Sequence, residues 1–178
     1  MAEKRSSSSG DDNIVVPLRP RVAGSADIAA FDAMLAEHDR LLALCQELEQ
    51  IADTLPAPAS ASLCRDVIIA LANHHGTMAQ HCAATLTPAL NGPWQPLAKR
   101  IAAMQAEQEG LGQEISLALD HMARTQKVES PDMLGYMLRA WFEGCKRLVV
   151  IEELALAAFG RHVLSQAQMA QLESRFTH

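Results

Sequence analysis

Aromatic residues are scarce in this chain, at 4% of 178 residues. β-Sandwiches draw their cores from aromatic and β-branched side chains, so the scarcity argues against them. No apolar run approaches the ~18–20 residues that a membrane span requires. Lysine and arginine occur singly or in pairs, as in Lys99-Arg100 and Lys146-Arg147, within a net charge of −6. Without a basic stripe there is no footprint for releasing counterions from a nucleic acid. The four cysteines, Cys45, Cys64, Cys82 and Cys145, show no C-x-x-C spacing, which reads as free thiols in a reducing cytosol. No phosphate loop, Ser-His-Asp set or cysteine with an evident base partner is apparent, so no enzyme is expected.

Ala, Leu and Met are plentiful instead, and 49% of residues are hydrophobic against 20% charged. This is the composition of a globular helical protein. The pI is about 5.6. Residues 1–24 are Ser-rich at the start, carry no apolar segment of the secretory type, and read as a disordered tail. A cytoplasmic location follows from the same features.

From Ser25 onward, apolar residues recur with the alternating 3-4 spacing of a bundle seam. The first helix carries Phe31, Leu35, His38, Leu42, Cys45, Leu48 and Ile51, and is stopped at Pro56 and Pro58. The second is expected from about Ser62 to Thr87, with Pro88, Gly92, Pro93 and Pro96 in the loop beyond. The third reads Leu97, Ile101, Met104, Gln108, Leu111, Ile115, Ala118, Met122. The fourth opens with Ser130 as N-cap and Pro131 at its first position. Its seam is Leu134, Leu138, Trp141, Cys145, Leu148, Glu152, Ala155, Phe159. Gly160 closes it, and Ser165 caps a short terminal helix ending near Phe176. The expected fold is all-α: an antiparallel up-down-up-down four-helix bundle over 25–178, with a short C-terminal fifth helix.

Polar residues interrupt the seam on every long helix: His38 on the first, a His/Cys group on the second, Gln108 on the third and Glu152 on the fourth. Burying a lone carboxylate or imidazole costs several kcal/mol unless it is paired, so such groups are expected to meet. Helical bundles hold metal ions by convergence of this kind. Ordinary core hydrogen bonding accounts for each residue taken singly. On the second helix, "NHHGTMAQHC" allows two registers, His74, Met78 and His81 or His75, Met78 and Cys82, and periodicity does not choose between them.

The segments "AEHDRLLAL" (36–44), "LTPAL" (86–90), "EQE" (107–109) and "LVVIEELAL" (148–156) resemble, in order, parts of the hemerythrin-like (HHE cation-binding) domain family. The likeness spans roughly residues 27–165. It implies a four-helix bundle with a non-haem di-iron centre of five histidines and two carboxylates, used to carry or sense O₂ and related small molecules. Carried over by position, it places His38 as the first-helix histidine and Glu152 as the fourth-helix carboxylate. Counting back without a gap, its second-helix ligand places fall on Met78 and Cys82, while a three-residue deletion near Ala84 would make His81 the histidine. Its third-helix places fall on Met104 and Gln108, and its fourth-helix histidine on Leu148.

Two of seven ligands thus stay in clear register. The candidate remnant site is His38, Met78, His81, Cys82, Gln108 and Glu152. The expectation is a non-enzymatic interaction or regulatory protein that has lost the di-iron site, with no cofactor and a protein partner of unstated identity. The alternative is a protein holding a single Fe, Zn or Cu ion, or a haem, in small-molecule (O₂ or NO) binding or sensing.

Overall fold

The computed structural model describes residues 25–177; the side chains of 25–28, His75, Met78, Ala79 and Cys82 lie outside that description, as does the N-terminal tail expected over 1–24. The described residues form five α-helices: α1 (Ser25–Thr54), α2 (Ala61–Ala89), α3 (Gln95–Thr125), α4 (Pro131–Phe159) and α5 (Gln166–Arg175). Short 3₁₀ turns at Gly92–Trp94 and Gly160–His162 precede α3 and follow α4. No strand occurs among the described residues, and none of their helices is long and apolar enough to cross a membrane.

The helix ends follow local chemistry. At the start of α2 the Ser60 hydroxyl accepts the Leu63 N–H at 3.2 Å, satisfying one of the donors left open in a first turn. Ser130 stands as N-cap of α4 with Pro131 at its first position, where a missing N–H costs nothing. At α5, Ser165 and Gln168 form a reciprocal capping box. Gln126 ends α3 in the left-handed region at φ 52°, its N–H bonded to Met122 O.

Two boundaries differ from the expectation. α2 runs through Pro88 to Ala89 instead of stopping at Thr87. Proline forfeits one backbone hydrogen bond there, but Leu86, Ala89 and Leu90 are all buried, and their burial outweighs the missing bond. Pro96 belongs to the first turn of α3, not to the loop. The turn itself uses Gly92, whose φ of +60° suits a residue without Cβ.

α1 packs against α2 and α4, and α3 packs against the same two helices. Along the α1–α4 seam, His38 meets Glu152 and Glu153, Glu49 pairs with Lys146, and Leu55 lies against Gly135. At one end Trp94 stacks on Phe159 with centroids 4.0 Å apart, and the His162 ring nitrogen donates to Pro88 O. The core is a single apolar cluster filled by Phe31, Met34, Leu48, Leu71, Leu138 and Trp141, among others. On α3 the buried stripe is Ile101, Gly112, Ile115, Leu119 and Met122. Met104, Gln108, Leu111 and Ala118, expected in the seam, are only half-buried.

Candidate functional site: a histidine between two buried carboxylates

Three helices bring their polar residues together at one level. α1 contributes His38, α4 contributes the adjacent Glu152 and Glu153, and α3 contributes Gln105. The His38 ring is fully buried and engaged through both nitrogens. Nε2–H donates to Glu152 Oε2 at 2.8 Å and Nδ1–H to Glu153 Oε1 at 3.0 Å. Gln105 Nε2 donates to the other Glu152 oxygen at 2.7 Å. Glu153 Oε1 also accepts Arg175 Nε at 2.9 Å, and Arg175 Nη2 reaches Asp39 at 2.8 Å. One hydrogen-bonded chain therefore runs from α3 through α4 and α1 to the last turn of α5.

Burial alone would push the His38 imidazole down, but the hydrogen bonds to Glu152 and Glu153 outweigh it and hold the pKa above its ordinary value. Glu153 shows the converse balance. Burial raises it, and the hydrogen bonds from His38 and Arg175 prevail and lower it. Both ring nitrogens thus face carboxylate oxygens, an arrangement that favours the protonated ring, in which neither nitrogen has a lone pair.

A second polar pair lies between α1 and α2. His74 Nδ1 donates to Glu37 Oε1 at 3.1 Å, while Arg40 binds the other Glu37 oxygen. Burial pushes His74 down, and Glu37 recovers only part of that shift. Glu37 itself is lowered, because Arg40 and His74 outweigh its burial. A cavity of about 330 Å³ opens beside this pair, lined by Arg40, Asn73 and Thr77 as well.

Of the six candidate residues, His38 and Glu152 are brought into direct contact. The Met78 and Cys82 side chains lie outside the described residues, and His81 is half-buried on α2. Gln108 stands apart from His38. Its carbonyl accepts the Trp141 indole N–H at 3.0 Å, and its side-chain oxygen faces the Cys145 thiol at 3.9 Å. Gln105, one turn earlier, reaches the centre instead. The ideal 3-4 seam misplaces this turn of α3. Gln105, Glu153, Glu37 and Arg175 were missed as site residues, and His74 was named only within one of the two second-helix registers. The doubled acids of Glu152-Glu153 and the Glu37-His38 pair were the available signal, since adjacent residues on a helix face two directions about 100° apart.

Gln108 occupies its place because Gly144 leaves room for it: a Cβ there would lie 2.3 Å from Gln108 Nε2. Gly144→Ala is expected to swing the amide out and cost about 1 kcal/mol. Chemical denaturation checks this, and the cost should largely vanish in a Gln108→Ala background.

The residues do not fit the di-iron centre implied by the resemblance. A ligating histidine must offer a lone pair, and both His38 nitrogens are spent on carboxylates. Leu148, buried at 2% exposure, puts apolar bulk where a histidine is required. Among the described residues, no three His, Cys, Asp or Glu side chains are grouped so as to hold a metal ion. Compared with protein-family models, with curated proteins and with solved structures, the chain matches none.

Proposed function

We propose that this chain is a hemerythrin-like antiparallel four-helix bundle whose metal centre has been replaced by a polar plug, and that it works through its surface as a non-enzymatic interaction or regulatory protein. The observation that carries the reading is His38 bridging Glu152 and Glu153. That contact consumes the imidazole and carboxylate groups a metal would need, and it leaves the charges satisfied among themselves. The up-down-up-down order is supported by the α1–α4 pairings, in which residue numbers fall along α4 as they rise along α1. A cytoplasmic location belongs to the same reading and is supported by the free thiols of Cys45, Cys64 and Cys145.

The test is elemental analysis with an absorption spectrum on protein purified without added metal salts. The expected result is well under one iron per chain and no oxo-bridge or haem bands. Two irons per chain, with bands lost on Glu152→Gln, would restore an oxygen-binding function.

The cavity beside Glu37 and His74 favours a second reading, a single Zn, Fe or Cu ion at an altered site. Stoichiometric binding of one such ion, abolished by His74→Ala and retained in His38→Leu, would establish it over the first.

A further inference from the structure

α5 is held to the rest of the molecule by little apolar surface. It has ten residues, and Leu172 is its one fully buried apolar side chain. Its last turn supplies Arg175, three-quarters buried, whose Nε reaches inward to Glu153 while Nη2 pairs with the exposed Asp39. The oxygen that Arg175 Nε grips, Glu153 Oε1, is the same atom that receives His38 Nδ1–H. The second arm of the guanidinium holds Asp39, the residue following His38 on α1. Arg175 therefore ties α5 to α4 and α1 at once, through a carboxylate shared with the centre of the fold.

We propose that α5 is a latch whose docking is set by the buried centre, with Glu153 as the shared element. The inference rests on the reading of His38, Glu152 and Glu153 as a plug, and it names how that plug is felt at the surface. A carboxylate oxygen divided between two donors couples them: whatever displaces the His38 ring redistributes Glu153 toward or away from Arg175. Because Leu172 supplies little burial by itself, α5 depends on the Arg175 bonds more than a longer helix would. Undocking frees a C-terminal amphipathic segment and uncovers the α4 surface beneath it. This is a means by which a change at the centre reaches a partner without any ligand leaving the fold.

Amide hydrogen exchange on the full chain tests this. Arg175→Ala is expected to speed exchange of the α5 amides 169–175 by roughly ten-fold, the effect of losing a charge-assisted hydrogen bond, with core amides of α1–α4 within about two-fold of wild type; Glu153→Gln, which alters the centre itself, should speed the same α5 amides at least as much. In the reverse direction, Arg175→Ala is expected to move the ¹⁵N resonances of the His38 ring, which a merely structural helix end would leave in place. Arg175→Lys, keeping the charge but not the fork, should fall between. Unchanged α5 exchange in Arg175→Ala, or a His38 ring indifferent to it, overturns the latch. Iron bound at the centre would overturn the plug reading whatever α5 does, so the two failures are told apart.

Discussion

His38→Leu is expected to destabilise the protein by about 3–5 kcal/mol, the cost of breaking a buried ion pair from one side. Leucine roughly preserves the volume, so the loss reports charge and not a cavity. It removes the imidazole from Oε2 of the fully buried Glu152, whose Oε1 keeps the Gln105 amide, and takes His38 from Glu153, which keeps Arg175. A typical domain has only about 5–15 kcal/mol of stability in total, so urea denaturation should show a large fall in midpoint with little change in slope. The exposed pair Arg124–Asp120 is the control; its removal should cost under about 1 kcal/mol. A loss that small at His38 would mean that the centre is solvated and the plug is not an energetic unit.

The wild-type pH profile should carry the same signature. His38 has its pKa raised on folding. The stability it brings is therefore full below its unfolded value of 6.5 and is lost as pH rises through the folded value. Glu153 and Glu37 are lowered, so their contributions are present above 4.5 and are lost as pH falls through their folded values. His74 is lowered too, and adds to the acid side from 6.5 downward. The profile thus falls on both sides of neutrality, and only the alkaline limb belongs to His38. Its part between neutrality and pH 9 should be missing from His38→Leu, whereas the Cys64 and Cys145 thiols, raised from 9.0 on folding, act only above that.

The helices were legible because their signals are local. Pro131 after Ser130, Gly160 and the Ser165 cap act within one turn, and a helix begins or ends at each where the sequence places it, although the Ser130 hydroxyl makes no capping bond. Pro88 misled because its cost is one hydrogen bond, while the burial of Ala89 and Leu90 that offsets it is tertiary. His38 and Glu152 were legible because polar residues in an otherwise apolar stripe stand out. Gln105 and Glu153 were not, because each sits beside the ideal seam, and helix rotation by a fraction of a turn decides whether such a residue faces inward. Arg175 lay beyond any periodic argument: it belongs to a short helix whose docking site is set by the fold. On the second helix His74 faces Glu37, while the side chains of the other register, His75, Met78 and Cys82, lie outside the described residues; no property of "NHH" alone distinguishes His74 from its neighbour.

The double variant His38→Leu/Glu152→Leu is expected to recover most of what either single change loses, ending within about 1–2 kcal/mol of wild type or above it. His38→Leu takes the imidazole from a buried carboxylate, and Glu152→Leu takes from the ring one of its two carboxylates and leaves it Glu153, whereas removing both partners leaves neither mismatch, and apolar replacements for buried ion pairs are often neutral or stabilising by about 1–4 kcal/mol. The neighbourhood favours this outcome, since Leu41, Cys45, Leu148 and Leu156, within about one or two turns of the pair on α1 and α4, are all buried apolar residues. Gln105 is half-buried and can turn its amide to water once Glu152 is gone. Glu153 keeps Arg175 as its partner, so α5 should stay docked. The cycle of wild type, two singles and the double therefore yields a coupling energy of roughly 3 kcal/mol or more between His38 and Glu152, at or above the upper end for residues in contact. Additive losses in the double variant would mean that both residues serve packing and that their pairing is incidental. Recovery of stability together with loss of partner binding or α5 coupling would locate the value of the plug in regulation, because a bundle that needed it only for folding would be better served by two leucines.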